Sequence, residues 1–464
     1  MSTAALAVRN LLRNRRRSLS TLLALAIGSA SILVFGGYSA NIKYSMQTAY
    51  VRSGGHLQIQ HRDFYLYGSG NPTAYGIADY ATLLKAIQAD PVLNPLVTVV
   101  TPTLQFGGIA GNFAAGVSRT VIGTGFVARD VSLMRAWNEF ELPLDMPPFV
   151  LDGAPPDAAI VGIGVARVLR LCEPLGIADC PRPAVETKAI GAALPDDIAR
   201  LSQLENPAAT ELAVGKARIE LLAGNANGTP NVASLNVLQA EGQGFKEFDE
   251  VAVILQLPQA QQLVYGRAPP KASSIMVQLH QSGQMAVAAE RLTALLTTAA
   301  PQQKLAVLDF EMLNPFYVQT LQLFDTIFGF IFVLIGAIVL FTVGNTMNTA
   351  VVERTVEIGT LRAIGLRQAG IRRLFVTEGF LLGAAGALGG AVVALTVAFI
   401  VNRLALTWLP PGSSEPLPLI LRIWSEARML IGTTLGLVAI AAISAWWPAY
   451  RAARLKVVDA LRHA

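Results

Sequence analysis

Residues 352–365 read Val352-Glu353-Arg354-Thr355-Val356-Glu357-Ile358-Gly359-Thr360-Leu361-Arg362-Ala363-Ile364-Gly365 and stand between two long apolar runs. That position places them just outside a membrane, on one side of it. Taken as one helix, they carry Val352, Val356, Gly359 and Ala363 on a small or apolar stripe. Glu353 and Glu357, four apart, form a second stripe flanked by Arg354 and Arg362. Such a helix on the membrane surface offers a soluble partner a compact knob rimmed by charge. The same spacing also fits an ordinary basic loop helix.

Four apolar runs surround this connector, and they predict transmembrane spans at 19–42, 323–347, 374–403 and 429–447. Each comes close to or exceeds the roughly 20 residues that a helix needs to cross a bilayer. Of 464 residues, 53% are hydrophobic and 14% charged, with mean hydropathy +0.47. Soluble domains carry about 25% charged residues, so the composition points to spans rather than one very large core. The first run follows a basic start and could be a signal peptide, with Ser29-Ala30 or Ser39-Ala40 as small cleavage-site residues. Its length favours an uncleaved anchor.

Charge orients the spans. Residues 1–18, 348–373 and 451–464 hold fourteen Lys or Arg against three acids, whereas 43–324 holds nineteen against twenty-four. Short basic segments stay inside. Both termini and the connector are therefore expected to be cytoplasmic, with 52–313 outside and 404–428 a short outside loop. Trp446 and Trp447 end the last span, where aromatic belts form. The tail is 448–464.

The fold class expected is a four-span α-helical membrane protein with a large α+β domain inserted between the first and second spans. Within 52–313, strand-like pieces recur at 56–60, 96–104, 120–125, 158–161, 217–222, 250–257 and 274–278, with helix-like runs at 80–89 and 283–300. Strands early and late predict a base built from both ends, with an inserted lobe at about 115–265. Residues 38–51 and 314–325 could continue their spans as stalk helices, with Tyr38, Ile42, Ser45 and Ala49 facing Tyr317, Leu321 and Phe324. Pro315 suits the first turn of the second stalk.

Within the third span, Gly379, Gly383, Gly386 and Gly390 form two pairs spaced by four on related faces. Such small residues let helices approach closely in lipid; a glycine-rich lipid-facing helix is the alternative. Asp325 and Glu378 lie at or within apolar runs and read as interfacial helix-end residues, with a translocation role as the other possibility. Cys172 and Cys180, eight apart around Pro174 and Gly176, would lie in an oxidising compartment and suit a local disulfide rather than two free thiols. The chain has no phosphate-binding loop, no metal-ligand spacing among its four histidines and no nucleophile elbow, so no catalytic or metal residue is assigned.

Three strings carry a family resemblance. The connector, E-R-x-x-E-I-G-x-L-R-A-I-G, resembles the cytoplasmic coupling segment of FtsX-like ABC transporter permeases, which include the macrolide-exporter and lipoprotein-releasing families. The tail from Trp447-Pro448-Ala449 through Ala452-Ala453-Arg454 to Ala460-Leu461-Arg462 is similar to their ending, although Val457 or Val458 stands at the second proline position. Ser53-Gly54-Gly55-His56-Leu57-Gln58-Ile59 looks like the start of the outside domain in lipoprotein-releasing-type permeases. Residues 9–18 also resemble the family's N-terminal approach helix.

The resemblance implies a permease without enzymatic activity of its own, in a bacterial inner membrane with a periplasmic domain. It implies two copies of a cytoplasmic ATPase, which would hold the ATP and Mg; no cofactor is bound by this chain. A second permease subunit, identical or homologous, and a periplasmic carrier or adaptor protein are the further partners, beside membrane lipid and without nucleic acid. Carried over onto this chain, Glu353, Arg354, Glu357, Gly359, Leu361, Arg362, Ala363 and Gly365 fall on the coupling motif. Its charges are expected to make salt bridges in the ATPase groove, and Gly359 and Gly365 to allow turns. Membrane-surface anchoring is the other role open to Glu353 and Arg354. The implied function is mechanotransmission for lipoprotein or lipid-like cargo, with macrolide-type efflux or signalling to a periplasmic hydrolase as alternatives.

Overall fold

The computed structural model describes residues 3–13, 15–68, 70–143, 146–177, 217–225, 228–244, 246–408, 417–455 and 457. Helices of at least nine residues, labelled in chain order, are α1 (Thr3–Arg13), α2 (Arg15–Gly54), α3 (Tyr80–Ala89), α4 (Leu257–Tyr265), α5 (Met285–Ala299), α6 (Pro315–Glu353), α7 (Thr355–Ala363), α8 (Gln368–Leu404) and α9 (Ala427–Ala453). The chain divides into two units. One comprises Met1–Tyr44, Phe316–Trp408 and Leu417–Ala464; the other is drawn mainly from Ser45–Pro315.

In the helical unit, α2, α6, α8 and α9 are each long and apolar enough to cross a membrane. The 40 residues of α2 rise about 60 Å, twice the thickness of a hydrocarbon core. It runs unbroken to Gly54 and stops where Gly55 takes φ +76. A Cβ there would lie 2.8 Å from the Val277 carbonyl oxygen, so glycine is required twice over. Helix α8 begins at Gln368, inside the segment read as connector, and α9 continues to Ala453 with Pro448 within it. Leu25, Ile32, Val339, Val343, Met347, Phe375, Leu382 and Leu437 share one packed core.

The connector is not the single helix expected from its spacing. It breaks at Arg354, which leaves the helical region at φ −106, so Val352 and Glu353 belong to the end of α6. The expected stripe is split accordingly, with Val352 and Val356 exposed and Gly359 buried. Gly365, at φ +101, makes the turn toward α8. Gly359 makes none, because it lies inside α7.

The α+β unit is built on β1 (Leu57–His61), β2 (Val97–Asn112), β3 (Val117–Phe126), β4 (Ala158–Gly162), β5 (Arg218–Gly224), β6 (Pro230–Glu241), β7 (Ala252–Gln256), β8 (Ser274–Leu279) and β9 (Leu305–Asp309). The base has strand order β2-β8-β1-β9, every neighbouring pair antiparallel. Helix α3 links β1 to β2 and α5 links β8 to β9. This is the split βαβ arrangement of ferredoxin-like sheets. Leu57, Ile59, Ile275 and Val277 pack there with Leu83, Ile87, Ala288 and Leu292 from the two helices.

The lobe inserted between β2 and β8 begins inside β2. Residues 97–103 pair with β8, whereas Leu104–Asn112 pair with β3 and Gly108–Gly111 also pair with β5. Strands β2-β3-β7-β4-β6-β5 return to β2, closing a six-stranded barrel. Leu104, Phe106, Val121, Val161, Leu221, Leu235 and Val253 form its buried core, together with Ala260 and Leu263 of α4. Closure removes the free edges that an open lobe would expose.

Candidate functional site

Four charged residues of the connector have partners within the chain. Arg354 and Glu378 are both buried, with Glu378 only 1% exposed. Arg354 Nη1 donates to Glu378 Oε1 at 3.1 Å, Asn10 Nδ2 donates to the same oxygen at 2.6 Å, and Arg354 Nη2 donates to the Asn10 carbonyl at 3.1 Å. The end of α6, the first turns of α8 and helix α1 are thereby tied at one point. Arg354 leaves helical geometry where its guanidinium serves this knot. Glu378 is thus not an interfacial helix-end carboxylate, as its place in the sequence suggested, but the acceptor of a buried pair.

Two outer pairs flank the knot. Arg17 holds Glu353 through both carboxylate oxygens, at 2.9 and 2.5 Å, and Arg13 reaches Glu357 at 2.5 Å. Arg362 donates to the Leu455 carbonyl. Exposed pairs of this kind contribute about 0–1 kcal/mol each, whereas breaking a buried one costs about 3–5 kcal/mol. Arg354–Glu378 therefore dominates the fastening. Among the side chains that the connector leaves outward are apolar ones: Val356, Ala363, Ile364 and Leu366 are exposed, Ile364 by 79%, beside exposed Glu353, Thr360 and Arg367. Leu361 is half-buried.

Helix α8 is the packing centre of the bundle, and its glycines divide between two neighbours. A Cβ at Gly379 would strike Ala445, and one at Gly383 would lie 2.6 Å from Ala441 Cβ, both on α9. Gly386 and Gly390 instead meet Leu25, Ala26 and Ser29 of α2. Ser29 Oγ donates to the Ala387 carbonyl at 3.0 Å across that approach. The four-residue spacing signalled close packing but not this division. Between α2 and α6, Phe324 packs against Phe35 and Tyr38 at ring-centroid distances of 6.2 and 6.3 Å.

In the α+β unit, His56 of the Ser53–Ile59 string is fully buried. Its Nδ1 accepts from the Leu279 N–H at 3.0 Å, which leaves Nε2 as the donor to Ser282 Oγ at 3.2 Å. Ser282 Oγ donates to Glu139 at 2.6 Å and accepts from Gln47 at 2.9 Å. Trp137 lies edge-on to the imidazole at 5.0 Å. Burial pushes the His56 pKa down to about 4. Only the string's first glycines and histidine hinted at this cluster; Glu139, Trp137 and Ser282 lie too far off in sequence to be associated with it. Cys172 is disulfide-bonded; Cys180, expected as its partner, lies outside the described residues. Among the described residues no group of three or more His, Cys, Asp or Glu could hold a metal.

Among the described residues, four helices long and apolar enough to cross a membrane thus stand beside a fastened charged connector and a large α+β unit. Residues 326–457 match the FtsX-like permease C-terminal family. The chain is similar to the ABC transporter permease YtrF of Bacillus subtilis, 32% identical over 139 residues (29% of this chain, 32% of the relative). It is also similar to the lipoprotein-releasing system transmembrane protein LolC of Xylella fastidiosa, 27% identical over 167 residues (34% and 40%). With the macrolide export ATP-binding/permease protein MacB of Escherichia coli it shares 34% identity over 143 residues (31% and 20%). The chain thus spans no more than 40% of the length of these relatives.

Among solved structures, the extracellular domain of the ABC-type transporter YknZ from Gram-positive bacteria matches 55% of this chain and 99% of its own length, at 10% identity and TM-score 0.29. The periplasmic region of MacB from Actinobacillus actinomycetemcomitans matches 57% and 94%, at 12% identity and TM-score 0.29. Those scores bear no weight for the fold, which rests on the strand order above.

Proposed function

We propose that this chain is the membrane subunit of an ATP-driven ABC transporter working by mechanotransmission. On this reading both termini and the connector lie on the cytoplasmic side of a bacterial inner membrane, and the α+β unit lies in the periplasm. Two copies of a separate cytoplasmic ATPase bind the connectors of two paired permease subunits. The observation that carries this reading is the construction of the connector. Its inner side is locked by Asn10, Arg354 and Glu378 to three helices, and its outer tip carries the exposed apolar side chains Ile364 and Leu366. A short segment held rigidly on one side and bare on the other passes a push on its tip to the helices behind it. The connector's charges pair within the chain, and on this reading Val356, Ala363, Ile364 and Leu366 join the exposed Glu353 and the half-exposed Glu357 as contact surface for the ATPase.

For cargo, the Gly54–Ile59 string and the likeness to LolC support a lipoprotein or another lipid-like molecule. The likeness to MacB, over 143 residues against 167 for LolC, supports the second reading, efflux of a small molecule or peptide with an adaptor and an outer-membrane channel. Co-purification with the ATPase encoded beside the chain tests the core of the proposal. Ile364→Asp puts a charge on the tip without touching the knot, and it is expected to lower bound ATPase at least tenfold while membrane insertion and thermal stability hold. Undiminished ATPase on this variant would refute the assignment.

A further inference from the structure

Helix α1 has two faces. Ala7 is buried, Leu11 packs on the bundle core and Asn10 holds Glu378. On the opposite side Val8, Arg9, Leu12 and Arg13 are exposed, Val8 by 45% and Leu12 by 60%. Arg15 and Arg16 follow, also exposed, and no acid occurs in residues 1–18. An outward face that alternates apolar side chains with arginines suits the boundary between acyl chains and acidic headgroups, where both kinds are satisfied together.

We infer that this face of α1 lies on the anionic headgroup layer of the membrane that the chain spans, with Val8 and Leu12 at the acyl boundary and Arg9 and Arg16 on lipid phosphates. The charge pattern selects this occupant: a soluble protein partner would have to cover Val8 and Leu12 while supplying acids for arginines on both sides of them. The inference rests on the cytoplasmic placement of residues 1–18 proposed above. Its consequence is local to the connector. Asn10 and Arg13 of the lipid-held helix are the same residues that bond Glu378 and Glu357, so acidic lipid in the inner leaflet steadies the segment against which the ATPase would push.

The test uses the full chain with Leu12→Cys, its thiol left free for the accessibility assay and labelled with bimane in a separate sample for the quenching assay. In inverted membrane vesicles, reaction of that thiol with an impermeant reagent from the outside places α1 on the cytoplasmic side; protection there, with reaction in right-side-out vesicles, overturns the topology itself. In bilayers of phosphatidylcholine and phosphatidylglycerol, brominated phosphatidylglycerol is expected to quench bimane severalfold more than brominated phosphatidylcholine at equal content. That preference should vanish in Arg9→Gln/Arg16→Gln, since each arginine near an acidic surface is worth about fivefold in affinity. Equal quenching by both lipids, or no quenching by either, would overturn the inference while leaving the topology in place. A water-like emission that turns apolar only when the ATPase is added would overturn it too, and would assign the face to that partner.

Discussion

Arg354→Met removes the guanidinium and leaves the Glu378 carboxylate, 1% exposed, with Asn10 Nδ2 as its remaining donor in the knot. The expected cost is about 3–5 kcal/mol, the range for stripping one partner from a buried pair. Arg13→Ala, which breaks an exposed pair, should cost about 0–1 kcal/mol. Removing both charges, as Arg354→Met/Glu378→Leu, replaces the pair by apolar groups and should recover most of the loss. The double-mutant cycle is therefore expected to show a coupling of at least about 2 kcal/mol, well beyond the roughly 0.5 kcal/mol scatter of independent sites. Reversible unfolding in mixed micelles, followed by circular dichroism for wild type, both singles and the double, gives the four free energies. Additive costs, or an Arg354→Met cost no larger than that of Arg13→Ala, would refute the view that this pair fastens the connector.

Two further outcomes follow from the packing and the buried histidine. Gly383→Val should prevent close packing of α8 on α9, because a Cβ already meets Ala441 Cβ at 2.6 Å and Val438 Cα at 3.3 Å; Gly329→Val, where nothing lies within 4 Å, should be tolerated, and detergent-stability profiles of the two variants compare them directly. His56 titrates at about 4 when folded and near 6.5 when unfolded, so the unfolded state takes up the proton first; stability should fall by about 3 kcal/mol as pH drops from about 6.5 to 4, and His56→Gln should flatten that slope in pH-dependent thermal melts.

The spans were legible because a long apolar run outside a large soluble core has few other uses, and the four-residue glycine spacing announced close packing on α8. The break at Arg354 was not legible, since its cause, Glu378, is buried on another helix 24 residues away. Barrel closure was hidden in β2. Its strand-like reading stopped at 104, where Gly107, Gly108 and Gly111 dilute the β-forming pattern, although the strand continues to Asn112 and only there gains two neighbours. Strand β6 was missed because its buried positions, Leu235 and Val237, follow an exposed Val232 out of phase. The connector's charges read in sequence as a partner-binding rim, and only distances in the fold reveal their partners within the chain, Asn10, Arg13, Arg17 and Glu378.

The central claim is that ATP bound on the cytoplasmic side changes the geometry of the α+β unit relative to the spans. Spin labels at Phe113→Cys, exposed at the β2–β3 turn, and Ile338→Cys, exposed on α6, report this as one intrachain distance. The measurement is made in nanodiscs with the ATPase bound, labelled chains diluted into unlabelled ones, without nucleotide and with ATP trapped. A shift of the distance distribution on trapping, absent in Ile364→Asp, is the predicted result. Identical distributions in both states, with the ATPase bound and active, would contradict mechanotransmission through this chain.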